Sequence, residues 1–302
     1  MTLRKPDPSL PAPDPGALFW RLAPWFFVMF WSAGYSFAKL GLPHIQPMTL
    51  LALRYGLAVL ALLPVLLFYR PLWPRGRRHW GAVALTGFLI QCVYFGLAYL
   101  AMEAGMNAGT TAIVMSLQPI MVAALAPLVT GARGGATLWL GLVLGLGGVV
   151  LVVLGGNGAG PSPWGAMALA AMALCGITAA TLFEKWHGLR TDPVAGALVQ
   201  YALGFAVMAP VALVIGIGQV NWSTDLVISL TYLVLFNSII SISLYVGMVQ
   251  RGDATRISAM MYLVPPLALL IAWAMLGEHL TPVAVAGMAI CAVAVWLVNR
   301  SG

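Results

Sequence analysis

Two prolines interrupt long apolar segments of this 302-residue chain, Pro119 in "MSLQPIM" and Pro265, followed by Pro266, in "MYLVPPL". Proline has no N–H to donate to the carbonyl four residues earlier, and its ring crowds that turn of a helix. Pro119 is therefore predicted to free the carbonyl of Met115. Pro265 is predicted to do the same for Met261. Because freed acceptors need protein or cavity water, the pattern predicts two kinked helices beside a binding region. The alternative is that the prolines only shape packing.

Amide side chains lie within the same apolar segments. A shift of the chain by 146 positions pairs Gln91 with Asn237, so two amides occupy equivalent positions, and Gln118 adds a third. Polar side chains in apolar helices normally face a neighbouring helix or a cavity, and interhelical hydrogen bonding is the alternative for each of them. Taken together, the three amides favour a wet cavity between helices.

Aromatic and thioether side chains could form the walls of that cavity. Trp31 and Tyr35 are four residues apart and share one face of a predicted helix. Aromatic rings with one polar group suit a site that contacts apolar groups while hydrogen-bonding an amino or carboxyl group. Methionine is flexible and can fit several ligand shapes. The candidate substrate-binding residues are Trp31, Tyr35, Gln91, Tyr94, Tyr99, Met115, Gln118, Asn237, Ser241, Tyr245, Met261 and Tyr262, and the candidate helix kinks are Pro119, Pro265 and Pro266.

Ionisable residues are rare inside the apolar segments. Arg54 is the only full charge well inside a predicted helix. It could bind a carboxylate, but structural anchoring or snorkelling to the helix end is the favoured interpretation. The acids and histidines fall in the N-terminal segment or near helix ends, so no proton relay through a buried carboxylate is expected. Cys92, Cys175 and Cys291 are widely spaced, which predicts neither a disulfide framework nor a metal site, and no cofactor is predicted.

The elements that must hold these residues are membrane helices. Hydrophobic residues make up 61% of the chain and charged residues 8%. Apolar runs of about twenty residues recur from end to end, which is the length that crosses a bilayer. The sequence therefore predicts an all-α membrane protein with ten transmembrane helices. Residues 1–21 are predicted to be a disordered cytoplasmic tail. Basic residues concentrate at alternate helix ends, which places both termini in the cytoplasm.

An internal repeat organises the predicted helices. The shift of 146 positions aligns the chain with itself without a gap, pairing for example Tyr55 with Tyr201. The chain is predicted to consist of two five-helix repeats, residues 22–155 and 163–302, joined by an outer linker at 156–162. Each repeat has an odd number of spans, so the second enters the membrane from the opposite side and the repeats are inverted. Such repeats are typical of transporters, with a substrate site near the bilayer midplane.

Three segments carry a resemblance to a known family: "LLALRYGLAVLALLP", "SLQPIMVAALAPLVTGAR" and "YLVPPLALLIAWAMLGEHLTPVAVAGM". The sequence resembles the drug/metabolite transporter superfamily, specifically the ten-helix exporters built of two EamA-type repeats, and is most similar to YddG-type amino-acid exporters. The resemblance implies a basket-like helix bundle around a central cavity, alternating access and a multi-pass location in a bacterial inner membrane. The "GAR" at Gly131 departs from the glycine–glutamate turn that "GEH" at Gly277 retains.

The leading functional hypothesis is a secondary transporter that exports amino acids and related small metabolites by facilitated, gradient-driven transport. Nucleosides, sugars and cationic compounds stay open as substrates, since composition permits them equally. A membrane enzyme is disfavoured because no cluster of acids, histidines or nucleophiles is found, and a channel because kinked inverted repeats suit alternating gates. The expected partners are a small-molecule solute and the lipid bilayer, not nucleic acid. The oligomeric state is left open, and a monomer is compatible with the sequence.

Overall fold

The computed structural model describes residues 17–130, 136–155, 163–187, 191–215, 220–250, 263–279 and 281–300. Within these ranges the backbone is helical with short turns and contains no strand, which confirms the predicted all-α class. The first half of the chain forms α1 (Ala17–Gly41), α2 (Pro47–Leu62), α3 (Val65–Phe68), α4 (Gly76–Gly87), a π-helical segment π1 (Phe88–Tyr94), α5 (Phe95–Glu103), α6 (Ala108–Met115), α7 (Gln118–Thr130) and α8 (Ala136–Gly155). The second half forms α9 (Trp164–His187), α10 (Pro193–Ile215), α11 (Thr224–Thr231), a π-helical segment π2 (Tyr232–Ile240), α12 (Ser241–Gln250), α13 (Val264–Leu276) and α14 (Pro282–Arg300).

Membrane-spanning helices are present, as the sequence predicts. Apolar side chains cover much of their outer surface, for example Phe68 at 92% exposure and Val214 at 86%, as expected of a surface covered by lipid. The chain is therefore a multi-pass membrane protein. By length and composition, five of the described helices can cross a bilayer, Pro47–Phe68, Gly76–Glu103, Trp164–His187, Pro193–Ile215 and Thr224–Tyr245, and four shorter apolar helices are Ala108–Val122, Trp139–Val152, Val264–Leu276 and Pro282–Ala294.

Helix α1 begins at Ala17, so it includes residues 17–21 of the predicted tail. Packing of two aromatic residues accounts for the earlier start. The rings of Phe19 and Trp20 contact each other edge to face, with centroids 5.2 Å apart. The Trp20 ring also lies against Gly247 of α12, where the glycine leaves no side chain in its way. Residues 1–16, the remainder of the predicted tail, lie outside the described residues.

The helical segment that contains Pro119 is interrupted just before this residue. Helix α6 ends at Met115 and α7 begins at Gln118. At the break, the N–H of Leu117 bonds to the carbonyl three residues earlier, at 3.2 Å, instead of four residues earlier. Pro119 then occupies the first turn of α7, where a missing N–H costs nothing because that turn has no intrahelical acceptor for it.

The equivalent prolines of the second half also stand at a helix start. Pro265 and Pro266 lie in the first turn of α13, which begins at Val264. Met261, whose carbonyl Pro265 was predicted to free, lies outside the described residues. The kink predicted at this point therefore stays a prediction.

The two π-helical segments occupy equivalent positions in the two halves. Gln91 lies in π1 and Asn237, its partner under the shift of 146, lies in π2. A π-helical turn is wider than an α-helical turn by one residue, and such turns are frequent at functional sites. In π2 the hydroxyl of Ser238 donates to the carbonyl five residues earlier, and Ser241 does the same just after it, both at 2.8 Å. Ser241, a predicted binding residue, is thus engaged by its own helix.

Helices α8 and α14, which occupy equivalent places in the two halves, pack against each other in antiparallel directions. The thiol of Cys291 donates to the carbonyl of Gly145 at 3.6 Å. Near the other end of α8, the hydroxyl of Thr281 donates to the carbonyl of Gly155 at 3.3 Å. Residue numbers thus rise along α8 while those of its partners fall along α14.

Candidate functional site

Arg54 of α2 turns into the interior of the bundle. Its side chain is only 2% exposed. Nη1 donates to the hydroxyl of Tyr99 at 2.9 Å, and Nη2 donates to Oδ1 of Asn237 at 2.7 Å. Of the two forms of the favoured interpretation, snorkelling toward the helix end does not occur, because the guanidinium finds its hydrogen-bond partners on α5 and π2 inside the protein. These bonds are compatible with the other form, structural anchoring.

The charge of Arg54 has only neutral partners. The guanidinium carbon lies 4.7 Å from the centroid of the Phe95 ring and 5.9 Å from that of Tyr55. Its Nε is buried without a hydrogen-bond partner. Over the part of the chain that the structure describes, no carboxylate forms a salt bridge with Arg54. A buried cation without a counter-ion is costly, because water no longer solvates the charge.

Around Arg54 lies a small cavity, here called the central cavity. Its volume is about 20 Å³, which is room for about one water molecule. The hydroxyls of Tyr35 and Tyr94 are hydrogen-bonded to each other at 2.7 Å in its wall. The cavity is thus too small for a solute in this conformation, and a solute can bind there only if the helices move apart. Its wall is formed by Trp31, Gly34, Tyr35, Arg54, Tyr94, Phe95, Tyr99 and Asn237.

Asn237 connects the two halves at the central cavity. Its Oδ1 accepts from Arg54, and its Nδ2 donates to the carbonyl of Phe30 on α1 at 3.3 Å. A Cβ atom on Gly34 would lie 2.5 Å from Nδ2 of Asn237, so only glycine allows α1 to approach the amide this closely. The π2 segment therefore presents its amide to α1 and to Arg54 at once.

The structure brings some of the sequence-predicted binding residues together. Those that line the central cavity are Trp31, Tyr35, Tyr94, Tyr99 and Asn237. They come from three separate parts of the chain: α1, the consecutive elements π1 and α5, and π2. Helical spacing and the repeat identified them because polar and aromatic side chains in a membrane helix tend to face protein or cavity.

The other two predicted amides bond to neighbouring helices. Nε2 of Gln91 lies 3.5 Å from Oε1 of Gln200 on α10, at the limit of a hydrogen bond, and Oε1 of Gln91 is buried without a partner. Nε2 of Gln118 donates to the hydroxyl of Thr181 on α9 at 2.7 Å. Interhelical hydrogen bonding, the alternative left open by the sequence, is therefore what the structure has for Gln118.

Of the remaining predicted residues, Met115 and Tyr245 do not line the central cavity. Met115 is 5% exposed and packs in a hydrophobic cluster at the end of α6. Tyr245 is 42% exposed, and its ring contacts that of Phe27 with centroids 6.0 Å apart. Met261 and Tyr262 lie outside the described residues. That Met115 and Tyr245 contact the solute in another conformation stays a prediction.

Three residues of the cavity wall were not among the predicted binding residues: Arg54, Gly34 and Phe95. Arg54 had a sequence signal, because a lone charge within an apolar helix is a functional hypothesis by default. Gly34 and Phe95 had none, since glycines and phenylalanines are common throughout apolar helices. Their importance depends on which helix lies opposite, and helical spacing alone does not determine that.

A second pocket lies at the end of the bundle where α1 ends and α6 begins, and is called here the end pocket. Its volume is about 370 Å³, within the range of sites for small molecules. His44 and Asp225 lie 3.7 Å apart in it. Among the described residues, those of the end pocket included, no group of three or more histidines, cysteines and acids could hold a metal ion. The polar residues of the end pocket are Lys39, His44, Asn107, Asp225, Glu278 and His279.

Glu278 joins α6 to the turn between α13 and α14. Its carboxylate oxygens accept from the backbone N–H groups of Ala108, at 2.7 Å, and Gly109, at 3.1 Å. These are N–H groups that a helix N-terminus leaves without intrahelical acceptors. Burial raises the pKa of Glu278, and the two N–H bonds and the charge of Lys39 partly oppose that shift. Lys39 itself donates to the carbonyls of Met102 and Met106, the second at 2.9 Å.

The chain is similar to known proteins over nearly its whole length. The sequence model of the EamA-like transporter family matches residues 20–154 and again residues 163–300. The uncharacterized inner membrane transporter YedA of Escherichia coli K12 is 28% identical over 292 residues, which cover 93% of this chain and 92% of that protein. A WAT1-related chloroplastic protein of Arabidopsis thaliana is 26% identical over 291 residues, which cover 92% of this chain and 68% of that protein. One solved crystal structure shares the fold with a TM-score of 0.65 at 15% identity, covering 94% of this chain and 97% of its own.

Proposed function

The chain belongs to the EamA-like transporter family, and on that premise we propose that it exports amino acids and related small metabolites. This chain is a membrane transporter and not an enzyme, because the matching family is a transporter family and the relative YedA is named a transporter. The family is part of the drug/metabolite transporter superfamily, as the resemblance of the sequence implied. The substrate, the direction of transport and the transport mechanism are what we propose.

The proposed mechanism is alternating access between two inverted five-helix repeats with ten spans in all. The antiparallel packing of α8 against α14, equivalent helices of the two halves, supports the inversion. The π-helical segments at equivalent positions also support two structurally related halves. The central cavity receives residues from both halves, which is where a transporter of this architecture binds its solute. A cavity this small then belongs to a state without bound solute.

The proposed location is a bacterial inner membrane with both termini in the cytoplasm. The relative YedA is named an inner membrane transporter. The orientation rests on the excess of basic residues at one side of the predicted spans. In that orientation the end pocket faces the outside, and the central cavity lies below it, since Lys39 is about 6 Å along α1 from Tyr35 at 1.5 Å per residue.

One observation carries the amino-acid proposal: the central cavity combines a buried guanidinium, a pair of tyrosine hydroxyls and aromatic walls. An arginine recognises a carboxylate, hydroxyls can bond a second polar group, and rings accept an apolar side chain. Cationic compounds fit less well, because Arg54 repels them. Nucleosides and sugars have no charge for Arg54 to bind, and they remain the alternative substrates.

Transport is proposed to be facilitated and not coupled to protons through a buried carboxylate. The residues that line the central cavity include no acid and no histidine. Proton-coupled carriers generally use such groups to bind and release the proton inside the membrane. The concentration gradient of the solute would then be the only driving force.

The test uses the purified protein in liposomes with a panel of the twenty amino acids, nucleosides and sugars as competitors. The proposal expects saturable uptake that amino acids inhibit and nucleosides do not. An imposed pH step should not drive accumulation of an amino acid against its gradient. Inhibition by nucleosides alone would overturn the substrate, and pH-driven accumulation would overturn the mechanism.

A further inference from the structure

We infer that the central cavity is a carboxylate site, in which Arg54 binds the carboxylate of an amphiphilic monocarboxylate whether or not the solute also carries an ammonium group. The inference rests on the proposed function and makes its recognition step more specific. It names the group that the cavity recognises, and it extends the expected substrates to carboxylic acids without an amino group. Three features of the cavity support the inference: the free hydrogen-bonding capacity of Arg54, the charge of the cavity and its apolar wall.

Arg54 has hydrogen-bonding capacity that its present partners do not use. Both terminal nitrogens donate to neutral acceptors, the hydroxyl of Tyr99 and the amide oxygen of Asn237. Its Nε is buried and has no partner. A carboxylate can accept two parallel N–H bonds from a guanidinium, and these charge-assisted bonds are stronger than bonds to neutral acceptors. A carboxylate can therefore replace a neutral partner of Arg54 with a gain in binding free energy.

The charge of the cavity selects the same group. Among the described residues Arg54 has no acidic partner, so an empty cavity holds a net positive charge away from water. One carboxylate neutralises that charge. An added ammonium group meets no carboxylate in the cavity wall, so it gains nothing from charge pairing. A phosphate monoester carries close to two negative charges at neutral pH, which leaves about one of them unpaired in an environment that penalises unpaired charge.

The remaining wall suits the apolar part of such a solute. Trp31 and Phe95 supply aromatic rings to the cavity wall, and the Tyr35–Tyr94 pair supplies hydroxyls for one further polar substituent. The cavity must widen to accept the solute, because its present volume is about 20 Å³.

The test compares four probes with the same aromatic ring: phenylalanine, 3-phenylpropionate, 2-phenylethylamine and 2-phenylethyl phosphate. Each is added to the purified wild-type protein, and binding is measured by the shift of the thermal midpoint and by competition with saturable uptake in liposomes. Phenylalanine should bind no more tightly than 3-phenylpropionate, because its ammonium group meets no carboxylate in the cavity wall. The amine and the phosphate should each bind roughly tenfold or more weakly, because they lose the charge-assisted pair with Arg54 or leave a charge unpaired.

Two variants of Arg54 sharpen the result. Arg54→Gln should weaken 3-phenylpropionate roughly tenfold or more, and Arg54→Lys should weaken it less, because a lysine keeps the charge but not the planar fork. Thr181→Val, at a residue of α9 that bonds to Gln118 outside the cavity wall, is the control and should leave the affinity unchanged. If Arg54→Gln does not fold, the comparison of the four probes on the wild type still decides.

The outcomes separate this inference from the proposed function. Equal binding of the amine and the carboxylate, or normal binding of 3-phenylpropionate by a folded Arg54→Gln, would overturn the inference. Saturable amino-acid uptake would in that case still support the proposed function. Tight binding of 3-phenylpropionate without any amino-acid uptake would keep the inference and overturn the amino-acid substrate. Preference for 2-phenylethyl phosphate would identify the cavity as a phosphate site and also contradict the inference.

Discussion

Gln118 shows how one hydrogen bond distinguishes a structural amide from a binding amide. Its Nε2 donates to the hydroxyl of Thr181 at 2.7 Å, and that hydroxyl donates in turn to the carbonyl of Ile177 at 3.0 Å. The chain of bonds joins α7 to α9 without reaching the central cavity. Asn237 differs because its amide bonds to Arg54, whose charge faces that cavity.

Replacing Gln118 should therefore affect stability and not affinity. Gln118→Ala removes the bond between α7 and α9 and should lower the free energy of unfolding by about 1 kcal/mol. KM for the transported solute should stay the same. Thermal unfolding and uptake kinetics measure the two effects. Thr181→Val should cause a similar loss, and the double variant should lose no more than the larger single loss, because both substitutions remove the same bond. A raised KM in Gln118→Ala would instead place this amide at the solute.

Glu278 should make stability depend on pH in a definite direction. Burial is the largest influence on this carboxyl and raises its pKa above the ordinary 4.5. A carboxyl whose pKa is higher in the folded than in the unfolded protein stabilises the fold when protonated, and this contribution is lost as pH rises through the folded pKa. The thermal midpoint of the wild type minus that of Glu278→Gln should thus be larger at about pH 5 than at about pH 8.

The subtraction is needed because other titratable groups line the same pocket. His44, Asp225, His279 and Lys39 face Glu278 in the end pocket, and they are present in both proteins. Their own titration therefore cancels in the difference to a first approximation. A difference that grew as the pH rose would mean that the N–H bonds from Ala108 and Gly109 outweigh burial.

Arg54 shows the limit of sequence reasoning at this scale. Its position inside an apolar helix was evident, but a long side chain about two turns from the helix end can extend either way. The direction was decided by Tyr99 and Asn237, which lie far away in the sequence. Polar partners on other helices become visible only when the rotation of each helix about its axis is known.

At the scale of elements, helix breaks were more predictable than helix widening. Proline lacks an N–H, so a disturbance near Pro119 follows from one residue, and α6 does end just before it. The π-helical segments π1 and π2 had no comparable signal, because their residue types are ordinary for apolar helices. Their equivalent positions were found only through the repeat that pairs Gln91 with Asn237.

Close packing of α8 against α14 depends on glycine. A Cβ atom on Gly148 would lie 2.7 Å from the carbonyl oxygen of Gly287, whereas one on Gly147 would meet nothing within 4 Å. Gly148→Ala should lower the free energy of unfolding by about 1–3 kcal/mol through overpacking. The neighbouring Gly147→Ala is the matched control and should be neutral or slightly stabilising, because alanine favours the helix by about 1 kcal/mol. Equal thermal midpoints for the two variants would show that the helices can separate at no cost.

At the scale of the whole molecule, two related halves were evident from the sequence. The repeat follows from self-alignment, and the family match to residues 20–154 and 163–300 is consistent with duplication. The small volume of the central cavity could not be predicted from the sequence, because it depends on how near α1 comes to π2. That distance is set by Gly34 and Asn237 together.

The proposed orientation predicts which loops face the outside. Trp222, which is 64% exposed before α11, should lie outside, and Leu72, 73% exposed before α4, should lie in the cytoplasm. In a background without the native cysteines, Trp222→Cys should react with a membrane-impermeant maleimide in intact cells. Leu72→Cys should react only after the cells are permeabilised. The reverse pattern would invert the topology and would place the end pocket on the cytoplasmic side.

The central claim is that one cavity, exposed alternately to the two sides, carries the solute. Counterflow tests this most directly: liposomes containing the pure protein are loaded with an unlabelled transported amino acid and diluted into a trace of the labelled form. A carrier predicts transient accumulation of label inside above its outer concentration, because solute leaving the liposome returns the cavity to the outside for exchange. Label that only equilibrates, at a rate independent of the internal solute, would indicate a channel and contradict the account.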